Sequence, residues 1–335
     1  MPSLPDQRFI FIGASSGGVY AMLDLVAGLP ARFPAPIFLV QHIGARRSQL
    51  AALLASRGPN AAVEATEGQI PAPGTIYIAP PDCHMLLEGG VLRLSHGPKE
   101  HHARPAIDPL FRSAALDCGP AAVGVVLTGM LDDGSAGLHA IKACGGTAVV
   151  QNPETAAEPS MPRSALSAVD ADHVVDLPEM AGLLYRLAQA PVVQQPVTAP
   201  EVLLREYAIA KGEDAMQNLK SIGQPSVFSC PDCGGVLFEI SDPGPPRYRC
   251  HTGHAFSPRS LAATQEQLTD AALWSSLRVL QEKEAMLRRL AERQALDDML
   301  SAQATLQEAR GIADIAAALR RLVVRAPSPA GSDLS

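Results

Sequence analysis

Through residues 8–190, short wholly apolar runs alternate with longer runs of mixed character. "RFIFIG", "APIFLVQH", "GTIYIAP", "AAVGVVLTG", "GGTAVVQN" and "DHVVDL" are rich in β-branched residues and bounded by Gly, Pro or Asn. Each reads as a buried strand. Between most of them lie amphipathic stretches such as "VYAMLDLVAGLP", "SQLAALLASRG", "PLFRSAALDCG" and "AGLHAIKACGG", which read as helices. Strands apolar on both faces, with helices between them, predict a mostly parallel, doubly wound sheet in a three-layer α/β/α domain. "HMLLEGGVLRLSH" departs from this pattern and predicts an antiparallel hairpin around Gly89-Gly90.

The pattern breaks at "QAPVVQQPVTAP", residues 189–200, whose prolines and lack of period mark a linker. "EVLLREYAIAKGEDAMQNL" then predicts a helix. Residues 226–258 hold a cluster of Cys and His. Farther on, Leu273, Leu277, Leu280 and Leu287 follow a spacing near 3.5. That spacing fits paired helices or a short coiled coil, and equally one amphipathic helix packed on its neighbours. "APSPAGSDLS" predicts a disordered tail. The organisation expected is therefore a catalytic-type domain over 1–190, a linker and helix over 191–225 and a small Cys/His module over 226–260. A helical extension over 261–323 and a tail over 324–335 complete it.

Composition narrows the classes. The chain has 335 residues, 47% of them hydrophobic, enough for a sizeable core. Its net charge is −7, without a long basic run, which argues against nucleic acid as a partner. No signal-peptide stretch and no run of eighteen apolar residues is present, so a soluble cytoplasmic protein with no membrane insertion is expected.

The turn "GASSGG" after the first strand raises two chemistries: a glycine loop for a dinucleotide phosphate, or an elbow presenting a nucleophile. It is close to the "GASSGIG" turn of short-chain dehydrogenases, and Tyr207-x-x-x-Lys211 supplies the pair those enzymes use. Val19, however, stands where the last glycine belongs. The Tyr/Lys pair lies beyond the proline linker, and the second strand ends in "VQH" rather than in an acid for the ribose. Gly13-x-Ser15-x-Gly17 instead fits a nucleophile elbow and selects Ser15 over Ser16. His42 ends the second strand, and Asp132 and Asp133 follow "VGVVLTGM". Any one of these has an ordinary reading, as a helix cap or a turn histidine. Serine, histidine and aspartate at strand ends on one sheet edge, taken together, predict a serine hydrolase.

"FIGASSGG", "VQHI", "GTIYIAPPDCHMLL", "RPAIDPLFRSAA", "VGVVLTGMLDDGSAGL", "GGTAVVQNPETA" and "MPRSAL" occur in this order. Together, over residues 8–185, they resemble the catalytic domain of the chemotaxis protein-glutamate methylesterases, the CheB family. The resemblance implies a triad of Ser15, His42 and Asp133, with Asp133 rather than Asp132 matching the family's "GM-x-x-DG" aspartate. It also implies an oxyanion hole from the backbone amides of His42 and Met130, and cleft-shaping roles for Ser16, His84 and Arg104. The reaction implied is hydrolysis of glutamyl methyl esters on a methylated chemoreceptor, a methyl-accepting chemotaxis protein or similar helical signalling protein. Glutamine deamidation is a variant of it, and neither reaction needs a cofactor. Because the first strand starts near Arg8, no N-terminal receiver domain is expected. The alternative from another class is a regulatory protein that uses the esterase fold and the C-terminal module to bind a partner.

Six cysteines are present. Cys83, Cys118 and Cys144 read as small buried hydrophobes. Cys230-x₂-Cys233 and Cys250-x₃-His254 flank the strand-like "GVLFEI" and suit a structural Zn²⁺ ribbon, with His251 as a rival fourth ligand. A likeness of this extension to those of some receiver-less methylesterase-like proteins, ending "C-x-x-GH", favours His254. His101 and His102 lack a visible ligand set and read as exposed loop histidines.

Overall fold

All six predicted apolar runs form strands, and they run parallel. In chain order the elements are β1 (Phe9–Ala14), α1 (Gly18–Gly28), β2 (Ile37–Gln41), α2 (Leu50–Arg57), β3 (Ala61–Glu64) and β4 (Thr75–Ile78). Next come the hairpin strands β5 (His84–Glu88) and β6 (Val91–Ser95), then α3 (Ile107–Cys118), β7 (Ala122–Val126), α4 (Ser135–Ala143) and β8 (Thr147–Gln151). They are followed by α5 (Ser160–Ala168), β9 (His173–Val175) and α6 (Leu177–Gln189). This computed structural model describes residues 7–42, 48–193 and 198–325, in two compact units, 1–261 and 262–335.

The main sheet has seven strands in the order β3-β4-β2-β1-β7-β8-β9. Every pairing within it is parallel. Strand alternation divides its side chains between two cores. Phe9, Phe11, Phe38 and Tyr77 belong to the core that also holds Leu110 and Phe111 of α3. Ile10, Ile12, Ile37 and Leu39 belong to the other, with Met22 and Leu25 of α1 and Leu184 of α6. Phe11 stacks on Phe38 with ring centroids 4.7 Å apart. Each such fully buried ring contributes roughly 1.5–3 kcal/mol of burial free energy. β1 connects onward to β2 on one side, while β7 arrives on its other side. The order of connection therefore reverses at β1, and the carboxyl ends of β1, β2 and β7 form the crevice where α/β sheets hold their sites.

The segment expected as one helix is two: α7 (Glu201–Ala210) and α8 (Ala215–Ile222). Gly212, with φ of 85°, makes the break. An antiparallel sheet follows, of β10 (Gly223–Ser229), β11 (Val236–Ile240), β12 (Tyr248–Cys250) and β13 (Ala255–Phe256). It lies in the same compact unit as the parallel sheet. The linker expected over 189–200 includes residues 194–197, which lie outside the described residues, as does the tail from 326 onward.

α9 (Pro258–Gln294) begins in the first unit, and most of it belongs with α10 (Met299–Arg325) in the second. From Leu273 onward the less exposed positions of α9 are Leu273, Leu277, Leu280, Glu284, Leu287, Ala291 and Gln294, a strict alternation of four and three. On α10 the same alternation runs through Ala302, Thr305, Ala309, Ile312, Ala316, Leu319 and Val323, with Ser301, Leu306 and Ala313 also partly buried beside it. Lys283 pairs with Glu308 at 3.1 Å, and Thr305 donates to Gln294 at 2.7 Å. The second unit is thus a helical hairpin with a coiled-coil seam, the paired-helix reading of that spacing.

Candidate active site

The turn after β1 is tight for two stated reasons. Gly17 has φ of 74°, a left-handed conformation that side chains disfavour. Gly129, after β7, lies so close that a Cβ on it would stand 2.9 Å from the Ser15 Cβ. Ser15 N–H donates to Thr128 O at 3.0 Å, which ties the turn to the end of β7. On its other side, the Gln41 amide donates to Ser15 O at 2.8 Å and to His42 O at 3.3 Å. Ser15 is therefore pinned between two strand ends while Ser16, next to it, is exposed.

His42 continues β2 by one residue and faces Ser15. Its Nδ1 is 3.0 Å from Ser15 Oγ, and its Nε2 is 2.6 Å from Asp133 Oδ2. Asp133 is buried in the loop between β7 and α4. It accepts the backbone N–H groups of Ile107 at 2.7 Å and Asp108 at 3.0 Å, the first residues of α3. A helix N-terminus thus stabilises its negative charge. Burial by itself raises the Asp133 pKa. The nearby His101 charge, the His42 hydrogen bond and the Ile107 amide outweigh burial and hold the carboxyl well below its usual range. Among Ser15, Ser16, Asp132 and Asp133, the structure brings Ser15 and Asp133 to His42. Asp132 turns away and accepts Ser257 Oγ at 2.7 Å.

The two amides expected at an oxyanion hole differ. Met130 is exposed, and its N–H has no acceptor among the described residues. The His42 amide instead donates to Ala14 O at 3.3 Å, because it extends the β1–β2 ladder by one step. Ser16 N–H, directly after Ser15, likewise has no acceptor among the described residues.

A family profile described as "CheB methylesterase" matches residues 10–184, just over half of the chain. The chain belongs to the CheB methylesterase family. A curated protein of Leptospira interrogans is 40% identical over 188 residues, covering 56% of this chain and 97% of the relative. "Protein-glutamate methylesterase/protein-glutamine glutaminase 2" of Anaeromyxobacter dehalogenans is 40% identical over 181 residues, covering 54% of this chain and 53% of that protein. The crystal structure of the Thermotoga maritima CheB methylesterase catalytic domain superposes with a TM-score of 0.53 at 33% identity. It covers 55% of this chain and all of that domain.

His84 and Arg104, two further residues of the family motifs, brace the loop ahead of α3. His84 Nε2 meets Pro98 O at 2.9 Å, and its Nδ1 accepts Ala106 N–H at 3.2 Å. Arg104 donates to Asp82 Oδ1 at 2.8 and 3.0 Å and to the carbonyls of His96 and Gly97. Tyr207 and Lys211, the pair a dehydrogenase would need, sit far along the chain on α7 and its end. There Lys211 bridges Glu88 and covers the Tyr207 ring.

Beyond the family match, Cys230, Cys233, Cys250 and His254 converge, with their ligand atoms within 4.8 Å of one another. Cys230 and Cys233 lie in the β10–β11 turn, while Cys250 ends β12 and His254 closes the turn that leads into β13. Cys233 Sγ to Cys250 Sγ is 3.6 Å, and His254 Nδ1 lies 3.5 Å from Cys250 Sγ and 3.7 Å from Cys230 Sγ. A tetrahedron with Zn–S of about 2.3 Å and Zn–N of about 2.0 Å has edges of about 3.5–3.8 Å, so the donor set fits Zn²⁺. His251 is exposed and lies against Gly235, outside the cluster.

Sequence reasoning also misplaced one histidine. The His101 side chain is only 8% exposed and turns inward from the loop, where His101 (φ 52°) and His102 (φ 61°) are consecutive left-handed residues. Only His102 remains half-exposed, paired with Asp232 at 2.7 Å.

Proposed function

We propose that this chain is a protein-glutamate methylesterase that hydrolyses glutamyl methyl esters on chemoreceptors and deamidates glutamine at equivalent sites. The observation that carries the reading is the continuous chain Ser15 Oγ, His42, Asp133, at 3.0 and 2.6 Å. The activities named for the curated relatives support it. In the Michaelis complex Ser15 Oγ attacks the ester carbonyl carbon, and its proton passes to His42 Nδ1. Asp133 accepts from Nε2–H, which fixes the tautomer that leaves Nδ1 free as base, and it stabilises the imidazolium that forms. The carbonyl oxygen takes up negative charge facing the unengaged amides of Met130 and Ser16. Each such donor is worth about 2.7–4 kcal/mol in comparable sites. His42 then returns its proton to the departing methoxide, giving methanol and an acyl-enzyme. Water, deprotonated by the same imidazole, attacks the acyl carbon and releases glutamate and Ser15. With glutamine the leaving group is ammonia.

The exposure of Ser16 and Met130 beside the nucleophile leaves the site open, as a side chain on a helical protein surface requires. Among the described residues no helix is long and apolar enough to cross a membrane, in keeping with a cytoplasmic enzyme that meets the cytoplasmic part of its receptor. A Zn²⁺ held by Cys230, Cys233, Cys250 and His254 would be structural. All four positions are protein ligands, none is left for substrate, and the chemistry at Ser15 needs no metal. The functional unit we assign is 1–261, with the zinc module built onto the esterase, and the hairpin of 262–325 as a separate appendage.

The test is methanol release from a methylated chemoreceptor fragment. Wild type releases methanol, and Ser15→Ala abolishes release while Ser16→Ala retains it. Equal release from wild type and Ser15→Ala sinks the reading. No release from wild type, together with retained receptor binding, favours the binding-protein alternative.

A further inference from the structure

Behind Asp133, on the side away from His42, stands a group that the mechanism above does not use. His101 Nε2 lies 2.9 Å from Asp108 Oδ2 and 3.7 Å from Asp133 Oδ1. Its Nδ1 lies 3.1 Å from Ser260 Oγ and 4.0 Å from Asp132 Oδ1. Three carboxylates thus face one buried imidazole, and both of its ring nitrogens have hydrogen-bond partners.

The partners on its far side come from the C-terminal extension. Ser257 and Ser260 open α9 with a reciprocal cap. Ser260 N–H donates to Ser257 Oγ at 3.0 Å, and Ser257 N–H donates to Ser260 Oγ at 2.9 Å. The same two hydroxyls engage Asp132 and His101. His101 N–H also donates to Ala255 O of β13 at 2.8 Å. The start of the extension helix is therefore built into the back of the triad.

We infer that His101 is a positioning residue of the esterase: a buried imidazolium, held in place by Ser260 of the extension, that fixes and counterbalances Asp133. This rests on the triad assignment above. The groups facing it are Asp108 of α3, Asp132 and Asp133 of the β7–α4 loop, and Ser257 and Ser260 of α9. Glu100, Arg112, Glu206, Arg247 and Arg249 line the adjoining small cavity. Burial alone pushes His101 toward neutrality, but the bond to Asp108 and the charges of Asp133 and Asp132 outweigh it and raise its pKa to about 10. The consecutive left-handed residues at 101 and 102 are local strain that this contact sustains. Catalytically, a cation behind Asp133 limits how strongly that carboxylate favours the His42 imidazolium. It keeps His42 available as a base at lower pH.

The experiment uses the full chain. His101→Gln removes the charge, and His101→Lys keeps a cation. The pH dependence of kcat for methyl-ester hydrolysis is measured for each, and the His42 ring is titrated by ¹⁵N NMR, which does not depend on turnover. In His101→Gln we expect the acid limb and the His42 titration both to move up by about one pH unit. On the acid limb, well below that titration, kcat falls about tenfold with KM changed less than about twofold. His101→Lys returns both toward wild type. An unmoved His42 titration in folded His101→Gln overturns the inference. Should that variant not fold, the wild-type spectrum decides. The His101 ring, assigned from its own backbone, must carry protons on both nitrogens at pH 8, and a neutral ring overturns the inference. Hydrolysis that persists in Ser15→Ala would instead overturn the triad reading and leave the His42 titration as an independent result.

Discussion

Arg249 Nη2 lies 2.9 Å from Glu100 Oε1, so the strand that carries Cys250 of the Cys/His cluster is tied to the loop ahead of α3. Both side chains are almost wholly buried. Arg249 Nε also reaches Glu206 Oε1 of α7 at 3.0 Å, Arg112 of α3 pairs with Glu100, and Arg247 pairs with Glu206 at 2.7 Å. Two glutamates and three arginines thus alternate through one interior. Burial opposes ionisation of Glu100, but Arg112 and Arg249 outweigh it and hold its pKa down at about 2.

Such a cluster is no proof of net stability, since desolvation offsets much of the attraction. Breaking it is another matter, because it strands a buried charge. Arg249→Met should cost about 3–5 kcal/mol in urea unfolding. Arg278→Met, which removes only an exposed pair with Glu282 on α9, should leave the unfolding midpoint where it was.

The cluster and His101 also set a pH window for stability. Glu100 has a folded pKa of about 2 against an ordinary 4.5, so its contribution is complete above pH 4.5 and is lost as pH falls toward 2. His101 has the opposite sign. Its folded value of about 10 exceeds the ordinary 6.5, so its contribution is complete below pH 6.5 and is lost as pH rises through 10. Thermal melts across pH should fall off on both flanks, and His101→Gln should flatten the alkaline flank alone. An alkaline flank of the same slope in the variant would refute the assignment.

Replacement of the triad carboxylate separates orientation from charge elsewhere in the loop. Asp133→Asn keeps the size and, with its nitrogen at the Oδ2 position, the Asp108 N–H contact of the remaining oxygen, but it loses the Ile107 N–H contact and the acceptor that fixes the His42 tautomer. We expect kcat for ester hydrolysis to fall by about 10³–10⁴. Circular dichroism should stay unchanged.

How much of this was legible in the sequence depends on the range of the forces involved. The six apolar runs announce themselves because a strand buried on both faces must be apolar throughout. β3 was missed because it is an edge strand: Ala61 and Glu64 are exposed, and its alanines lack β-branching. The heptad spacing on α9 was legible because its seam is a local repeat. Ser15, His42 and Asp133 were legible through the glycine turn and the strand ends that carry them. His101 was not. Its environment is made by Asp108, seven residues on, and by Ser260, 159 residues on. No local pattern reports that a double histidine has turned inward. The contact of the His42 amide with Ala14 O was not legible either, since only the register of β1 on β2 brings the two together.

The zinc assignment predicts one Zn²⁺ per chain by atomic absorption, released by a strong chelator and lost in Cys230→Ser or Cys233→Ser. Cys144→Ser, at a buried thiol away from the cluster, should retain it. So small a sheet has little apolar core of its own, with Leu237, Phe256 and Leu261 the main members of its cluster. Metal loss should therefore lower the melting temperature. Metal content equal in Cys233→Ser and wild type would remove the assignment.

The most direct consequence concerns where the catalytic unit ends. The family match stops at residue 184, which invites a fragment of 1–190. In that fragment Glu100 and Arg112 keep each other but lose Arg249 and Glu206, and His101 loses Ser260 and the Ala255 carbonyl. Leu203 of α7, part of the core beneath α3, is lost as well. Residues 1–261 keep all of these contacts and give up only the hairpin, which forms its own compact unit. We therefore expect 1–261 to melt cooperatively and to hydrolyse a methyl ester with kcat within about threefold of the full chain. The 1–190 fragment should be several kcal/mol less stable, as loss of partners from a buried ion cluster costs about 3–5 kcal/mol. A 1–190 fragment as stable and as active as 1–261 would show that the extension only rests on the esterase. An unstable 1–190 beside a sound 1–261 would show that it completes it.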